Sequence, residues 1–350
     1  MLDRHRRRTT LVGMLVLAAV AVCGCGSSGG NASAAGGGST GTTSGSGSGS
    51  GPSVYLLQNV VYPYISANNQ GVFAEAKKLG VHITYANGNG DTEQQLSQMR
   101  TAISSGAKGV IIQPNDSVAV DNVVQQATQK GICVVALTVP IGSKQAEVYP
   151  GTKAYVGWNE LNSGALAADA IAKKIGGHGD VAVMIGSLTN GASKARMEGA
   201  EAEWKAKWPG IKVVSFQQEQ YNNETARSDA LALVQRLGPS LKGLFVETNP
   251  GADAAAKAIA TTPLRGKVSI ASVGGWSQFN DDIKEGIATA DIPEAPVSEG
   301  RLAVDLVNQC IKGNKTPVQE LETELPAVAA LKSADYTLTA SNLSSFEPEW

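Results

Sequence analysis

The stretch Gly109-Val-Ile-Ile-Gln-Pro-Asn-Asp-Ser-Val-Ala-Val120 contains one complete unit of the pattern that decides the fold. Its apolar start, Gly109–Gln113, predicts a short buried strand, and a polar turn then leads into an amphipathic helix predicted over Ser117–Gln129. Asp116 precedes that helix and is interpreted first as its cap. A buried strand followed at once by an amphipathic helix is typical of a parallel sheet with helices on its faces.

The same alternation of strand and helix extends to both sides of this unit. The predicted strands are Val54–Val60, Val81–Ala86, Gly109–Gln113, Ile132–Val139, Ala154–Val156, Val181–Ile185, Val213–Phe216, Gly243–Glu247 and Val268–Val273. The predicted helices are Ser66–Leu79, Thr92–Ser104, Ser117–Gln129, Ser163–Lys174, Ser193–Trp208, Glu224–Leu237 and Asp253–Thr261. Two consecutive halves of this kind predict an α/β protein with two doubly wound parallel-sheet lobes.

Ligands of open parallel sheets lie beyond the carboxyl ends of the strands. Two such lobes that face each other would place both sets of strand-end loops in one cleft. The loops concerned are Asn59–Ile65, Gln113–Ser117, Thr138–Ile141, Gly157–Glu160, Ser187–Arg196, Thr248–Asp253 and Gly274–Asn280. We therefore expect the ligand-binding residues among these loops.

The beginning of the chain predicts export and a lipid anchor. Four arginines among the first eight residues precede the apolar run Leu11–Val22, which is typical of a signal peptide and too short to span a bilayer. Gly24-Cys25 resembles a bacterial lipobox, so residues 1–24 are predicted as a lipoprotein signal peptide. Cys25 would carry the lipid, and the Gly/Ser-rich stretch over residues 25–52 would be a flexible tether. The expected location is the outer face of the cell membrane.

Charge and residue types exclude several function classes. Residues 1–24 carry four arginines and one aspartate, so their removal takes the formal net charge from −2 to −5. An acidic body argues against nucleic-acid binding. Cys133 and Cys310 are the cysteines of the predicted body, and the apolar surroundings of Cys133 favour a buried free thiol over a disulfide. The sequence contains neither a metal-ligand spacing nor a nucleophile elbow, and the interpretation is a non-enzyme without cofactor or metal.

Several motifs resemble the sugar-type periplasmic binding proteins, the family that contains ribose-binding protein and the ligand-binding body of lactose-repressor-type regulators. The segment Gly109–Val120 is similar to the family's strand-loop-helix with Pro-x-Asp-Ser, and Gly71–Gly80 is similar to its first helix. Ser193-Lys-Ala-Arg196 looks like the motif that supplies a ligand-binding arginine, and Val156-Gly-Trp-Asn159 lies where the family has Gly-x-Asp-Asn. The resemblance covers about Val54 to Val328.

The resemblance implies a type I periplasmic binding protein fold whose lobes close about a three-strand hinge. The three crossings would lie near Gly157, near Ala290–Pro293 and near Leu321–Glu324. Lobe I would then contain residues 53–157 and 293–320, and lobe II residues 158–292 and 321–350. The part of the chain after Ala330 carries no motif that assigns it a role.

The chain departs from the family where the family places sugar-binding aspartates. Thr138-Val139 replaces an Asp-Arg pair, Trp158 replaces an Asp, and Gly274-Gly275-Trp276 replaces a third. Arg196 is the strongest candidate for a polar anchor, because its fork of donors fits adjacent hydroxyls or a carboxylate. The full set of candidate ligand-binding residues is Tyr62, Tyr64, Gln113, Thr138, Trp158, Asn159, Arg196, Asn249, Trp276 and Glu294.

The resemblance implies a solute-binding lipoprotein of an ABC-type importer. It would act as a monomer, bind a sugar, polyol or sugar derivative in the cleft, and deliver it to a permease in the membrane. The missing aspartates and the aromatic candidates leave an aromatic, nucleoside-like or carboxylate ligand open as an alternative. A ligand sensor that reports to a membrane signalling partner is also open, because it would use the same closure as a transport protein.

Overall fold

The computed structural model describes residues 51–144, 147–320 and 337–350. All of these residues belong to one compact unit of the chain, Thr43–Trp350. The predicted signal peptide over residues 1–24, the lipidation site Cys25 and almost all of the predicted tether lie outside the described residues. The predicted hinge crossing at Leu321–Glu324 also lies outside them.

The described residues form two parallel sheets. The strands are β1 (Ser53–Gln58), β2 (His82–Asn87), β3 (Gly109–Ile112), β4 (Cys133–Leu137), β5 (Ala154–Val156), β6 (His178–Ile185), β7 (Gly210–Gln218), β8 (Leu241–Val246), β9 (Ser269–Val273), β10 (Ala290–Ile292) and β11 (Val318–Glu320). The first sheet has the order β11-β5-β4-β3-β1-β2, and the second has the order β10-β9-β8-β6-β7. All paired strands run parallel.

Helices connect these strands and cover both faces of each sheet. They are α1 (Pro63–Leu79), α2 (Thr92–Ser104), α3 (Asp121–Gln129), α4 (Glu160–Lys174), α5 (Gly191–Lys207), α6 (Asn223–Leu237), α7 (Asn249–Ala260), α8 (Ser277–Lys284) and α9 (Pro296–Ile311). In the first sheet, α1 and α9 share one apolar core with the strands, and α2 and α3 share the other. In the second sheet, α4 and α5 cover one face, and α6, α7 and α8 cover the other. The predicted fold class is confirmed.

Polar side chains set several helix starts, in two cases differently from the prediction. Asp91 caps α2 by accepting hydrogen bonds from the amides of Glu93 and Gln94, as expected. Asn159 caps α4 by accepting from the Asn162 amide, so this helix begins about one turn before the predicted start. Asp116 accepts from two amides of a short turn, and α3 begins only after that turn, at Asp121.

Two glycines let α4 and α5 cross in backbone contact. A Cβ atom on Gly164 would lie 1.9 Å from the carbonyl oxygen of Arg196, and one on Gly199 would lie 2.0 Å from that of Leu161. No larger residue fits without separating the helices. This close crossing brings Arg196 of α5 next to the first turn of α4.

The expectation of a free thiol at Cys133 is wrong, because Cys133 and Cys310 form a disulfide bond. Cys133 opens β4, and Cys310 lies in the last turn of α9, which packs on the first sheet. The two Cα atoms are 5.8 Å apart although 177 residues separate them in sequence. The pairing is possible because α9 returns to the first sheet. The apolar residues around Cys133 do not predict this disulfide, since they carry no information about where α9 packs.

Candidate functional site

The strand-end loops of the two sheets contact each other directly. Ser117, in the loop after β3, donates its amide to the Thr189 carbonyl at 3.2 Å and accepts at Oγ from the Gly191 amide at 3.0 Å. Tyr62, after β1, stacks on Tyr221, after β7, with ring centroids 5.4 Å apart and planes inclined by 12°. The carboxyl ends of both sheets therefore face one shared interface, and its two sides are in contact.

A buried arginine lies at the centre of the second-sheet side. Arg196 Nε and Nη2 donate to the two carboxylate oxygens of Glu160 at 2.6 and 2.9 Å. Nη2 also donates to Glu294 Oε1 at 2.5 Å, and Nη1 donates to the Glu247 carbonyl at 3.1 Å. Four of the five N–H groups of the guanidinium are thus used inside the protein. Arg196 joins α5, α4, the end of β8 and the chain after β10, and it retains one N–H for another partner.

The guanidinium of Arg196 keeps its positive charge although it is buried. Burial lowers the pKa of the guanidinium, but the carboxylates of Glu160 and Glu294 oppose this effect and hold the pKa above its usual value. Arg196 therefore stays protonated at every pH at which the protein is folded.

A second polar cluster surrounds Glu299, in the first turn of α9. Its Oε2 accepts from the Tyr64 hydroxyl at 2.9 Å, from Thr138 Oγ1 at 2.8 Å and from Asn68 Nδ2 at 3.2 Å. Its Oε1 has no hydrogen-bond partner among the described residues. Thr138 reaches this position because its backbone is left-handed, with φ of 58°. Two of the predicted site residues, Tyr64 and Thr138, thus meet at a glutamate that the sequence analysis did not select.

Aromatic rings form a continuous row across the interface. The row begins at Tyr221, which stacks on Tyr62. Tyr62 is followed by Tyr64, and the centroids of these two rings are 6.4 Å apart. Tyr64 meets Trp350 edge-on at 5.1 Å, and Trp350 stacks on Trp276 at 5.5 Å. The predicted aromatic residues Tyr62, Tyr64 and Trp276 are therefore brought together, with Tyr221 and Trp350 between and beside them.

Asn249 holds one end of this row through internal hydrogen bonds. Its Nδ2 donates to Asp291 Oδ1 at 2.9 Å, and its Oδ1 accepts from the Trp276 amide at 2.7 Å. Asp291 Oδ2 accepts from the Gly275 amide at 3.0 Å. Asn249 thus fixes the loop that carries Trp276, and its carbonyl oxygen is already used.

Gln113, Trp158 and Asn159 occupy three further strand-end positions. Gln113 is buried, and its main-chain carbonyl oxygen accepts a hydrogen bond from Gln95 Nε2 at 2.8 Å. Trp158 is 2 % exposed, and the Tyr155 hydroxyl donates to its carbonyl at 3.1 Å. Asn159 is the helix cap described above.

Five buried side-chain atoms around these clusters have no hydrogen-bond partner within the described ranges. Four are acceptor oxygens and one is a donor, namely Asn68 Oδ1, Gln113 Oε1, Glu247 Oε2, Glu299 Oε1 and Trp158 Nε1. A buried polar atom without a partner costs about 1–3 kcal/mol, so a bound molecule that supplies the partners of these five atoms removes that cost. The arrangement is suited to a molecule that donates more hydrogen bonds than it accepts.

Burial also changes the acidity of the carboxyl groups. It raises the pKa of Glu299 to about 8, although Thr138 and Tyr64 lower it through their hydrogen bonds. It raises the pKa of Asp291 and of Glu219 to about 8 as well. Carboxyl groups of this kind hold protons near neutral pH and can then donate as well as accept.

Sequence reasoning missed Glu160, Glu247, Glu299, Tyr221 and Trp350. Glu160 lies in the predicted loop Gly157–Glu160 but was not selected as a candidate. Glu247 and Tyr221 follow β8 and β7 closely, so a full application of the strand-end rule would have included them. Glu299 lies in α9 and Trp350 after the undescribed residues 321–336, where no predicted strand precedes them.

Two parallel sheets whose carboxyl ends enclose buried polar and aromatic groups define a two-lobed ligand-binding protein. The chain belongs to the periplasmic binding protein domain family, whose model matches residues 54–315. None of the described helices is both long and apolar enough to cross a bilayer.

Curated relatives cover most of the chain. The D-allose-binding periplasmic protein of Escherichia coli is 27% identical over 264 residues, which are 74% of this chain and 84% of the relative. The ribose import binding protein of Bacillus subtilis is 26% identical over 267 residues, which are 75% of this chain and 81% of the relative. The expectation of a sugar-type periplasmic binding protein, and not an enzyme, is confirmed by these matches.

Solved structures show the same fold. A solute-binding protein from Burkholderia graminis in complex with D-arabinose is 25% identical, with a TM-score of 0.73 over 84% of this chain and 97% of that one. One from Bacillus halodurans with bound myo-inositol is 17% identical, with a TM-score of 0.75 over 87% of this chain and 100% of that one.

Proposed function

We propose that the chain captures a polyhydroxylated molecule, a sugar or polyol, between its two sheets and delivers it to an ABC-type importer. The observation that carries this proposal concerns the buried unpartnered atoms of the Arg196 and Glu299 clusters and of Gln113 and Trp158, of which four are acceptor oxygens and one is a donor. Each ligand hydroxyl can donate one hydrogen bond to such an oxygen.

The alternative of a carboxylate ligand is disfavoured by the state of Arg196. Its guanidinium is already held by Glu160, Glu294 and the Glu247 carbonyl. An added carboxylate would meet the unpartnered acceptor oxygens of Asn68, Gln113 and Glu247 with one free N–H of Arg196 to balance them. Desolvating a negative charge beside these acceptors is unfavourable.

The row of aromatic rings is a second argument for a sugar or polyol as the ligand, in addition to the unpartnered hydrogen-bond acceptors. Aromatic faces pack against the C–H face of a sugar while its hydroxyls point to polar groups. Relatives are named for the ligands D-allose, ribose and xylitol, and structural neighbours hold D-arabinose or myo-inositol. These names agree with the class of ligand that the acceptor-rich interface favours.

Closure about a hinge is the proposed mechanism of capture. Lobe I would contain residues 53–157 and 293–320, and lobe II residues 158–292 and 321–350. The chain passes between the sheets after β5 and after β10, and the third crossing would follow β11. A ligand that contacts both lobes stabilises the closed form by the difference of its affinities for the closed and open forms.

The remaining parts of the proposal concern the place of action. Lipid on Cys25 and the tether over residues 25–52 would keep a monomer at the outer face of the membrane, close to the permease. A membrane sensor as partner would need the same closure and differs only in which protein recognises the closed form.

The proposal is tested by ligand screening of the exported protein extracted in mild detergent. D-Allose, D-ribose, xylitol and myo-inositol are compared with adenosine and benzoate by thermal shift and calorimetry. A true ligand at one hundred times its Kd should stabilise the protein by about 2.7 kcal/mol. Stabilisation by adenosine or benzoate alone would contradict the proposal.

A further inference from the structure

Segment 337–350, to which the sequence analysis gave no role, is fixed to the second sheet. Leu338 forms an antiparallel bridge with Asp291 of β10. Leu338, Leu343 and Phe346 are buried in the core that covers one face of that sheet. The segment then continues to Glu349 and Trp350, which reach elements on both sides of the interface.

Trp350 is bound to the loop between β9 and α8 by three contacts. Its indole Nε1 donates to the Gly274 carbonyl at 2.9 Å, and its main-chain oxygen accepts from the Ser277 amide at 3.0 Å. Its ring stacks on Trp276. From this anchored position Trp350 meets the ring of Tyr64, which belongs to α1 of the first sheet.

Glu349 reaches the same first-sheet region by another route. Its Oε2 accepts from the Ser298 amide at 2.9 Å, and its Oε1 accepts from the Ser298 hydroxyl. Ser298 lies in the first turn of α9, a helix whose own N-cap residue makes no side-chain capping bond. Glu349 therefore supplies the missing cap, and a carboxylate at this end also complements the helix dipole.

Both contacts converge on Glu299. Ser298 is its neighbour in sequence, so Glu349 fixes the turn that carries it. Tyr64, which Trp350 contacts, donates to Glu299 Oε2 and leaves Oε1 without a partner. Segment 337–350 thus supports the orientation of this carboxyl group from two directions.

We propose that Trp350 and Glu349 are positioning residues that determine ligand specificity, because they hold Tyr64 and Glu299 in the orientation that recognises a ligand hydroxyl. The inference rests on the proposed function and names segment 337–350 as part of its binding site. Loss of Trp350 removes one of the two ring contacts of Tyr64, and loss of Glu349 removes the cap from the first turn of α9. Discrimination between a sugar and its deoxy analogue should then fall.

The test uses the full chain, exported and extracted in mild detergent, and calorimetry with the tightest-binding sugar or polyol of the screen and its single-deoxy analogues. We expect Trp350→Ala to raise Kd by about 10-fold and Glu349→Ala to raise it by about 3-fold. These values follow from the usual free-energy contributions of an aromatic pair and of a helix cap. Both variants should also reduce the Kd ratio between the ligand and one deoxy analogue. Trp350→Phe should restore that ratio.

Trp208→Ala is the matched control, since Trp208 packs between α5 and α4 through a bond to Asp169. It should lower the melting temperature without changing Kd or the deoxy ratio. In the Tyr64→Phe background, Trp350→Ala should change Kd less than in the wild type, because the two residues act together.

The outcomes separate the two proposals. A wild-type chain that binds no sugar or polyol refutes the proposed function, and this inference with it. A wild-type chain that binds, together with a Trp350→Ala variant of unchanged Kd and deoxy ratio, refutes only the inference. If Trp350→Ala does not fold, an unchanged ratio in Glu349→Ala refutes it instead.

Discussion

Replacing Arg196 by alanine should lower the free energy of unfolding of the protein even when no ligand is bound. The side chain of Arg196 is 7 % exposed, and those of Glu160 and Glu294 are 0 % and 2 % exposed. Removal of the cation leaves two carboxylates buried without a counter-charge and also breaks the bond to the Glu247 carbonyl. Breaking a buried ion pair by removing one partner costs about 3–5 kcal/mol, and we expect a loss of this size.

The loss should depend on pH in a defined direction. Burial raises the pKa of Glu294, and Arg196 opposes that rise, so the pKa rises further in the variant. A group whose pKa is higher in the folded state stabilises the fold at low pH and loses that effect as the pH rises. The stability difference between Arg196→Ala and the wild type should therefore shrink when the pH is lowered from about 8 to about 5.

Urea unfolding followed by far-UV circular dichroism measures both effects. Arg227→Ala is the matched control, because Arg227 is exposed on α6, and it should change the free energy of unfolding by less than about 0.5 kcal/mol. The loss of stability in Arg196→Lys should be smaller than in Arg196→Ala but larger than zero. An ammonium group keeps the charge but cannot reproduce the contact of the guanidinium with both carboxylate oxygens of Glu160. A loss below about 1 kcal/mol in Arg196→Ala would refute the assigned role.

Three further changes test other parts of the structure. Replacing Cys133 and Cys310 by serine should lower the free energy of unfolding by about 2–5 kcal/mol, and dithiothreitol should then destabilise the wild type but not the variant. Because the pKa of Glu299 is about 8 when folded and about 4.3 when unfolded, wild-type stability should fall as the pH rises through this window, and Glu299→Gln should flatten that fall; an unchanged slope would contradict the pKa assignment. Tyr221→Ala removes the stack on Tyr62, so ligand dissociation in stopped-flow experiments should accelerate about 3- to 10-fold, whereas Tyr221→Phe should stay near the wild type.

The sequence was sufficient for the features that depend on local pattern. Short apolar strands followed by amphipathic helices are local signals, and so is the cap at Asp91. The rule that ligands lie beyond strand ends selected Tyr62, which stacks on Tyr221 across the interface of the two sheets, and Thr138, which donates to Glu299.

The features that the sequence left hidden depend on contacts between distant residues. The disulfide needs α9 to return to β4 across 177 residues. Arg196 satisfied the motif of a ligand-binding arginine, yet most of its donors are used by glutamates that come from other elements. Trp350 has no local signal at all, because its position depends on the packing of segment 337–350 against the second sheet.

The central claim is that the two sheets close on a captured molecule, and small-angle scattering with and without ligand tests it most directly. The contacts between Ser117 and Thr189 and between Tyr62 and Tyr221 describe the closed form. The radius of gyration should fall when a sugar or polyol is added to saturation and should stay low while it is bound. Identical scattering curves, with binding proven by calorimetry in the same sample, would contradict the account.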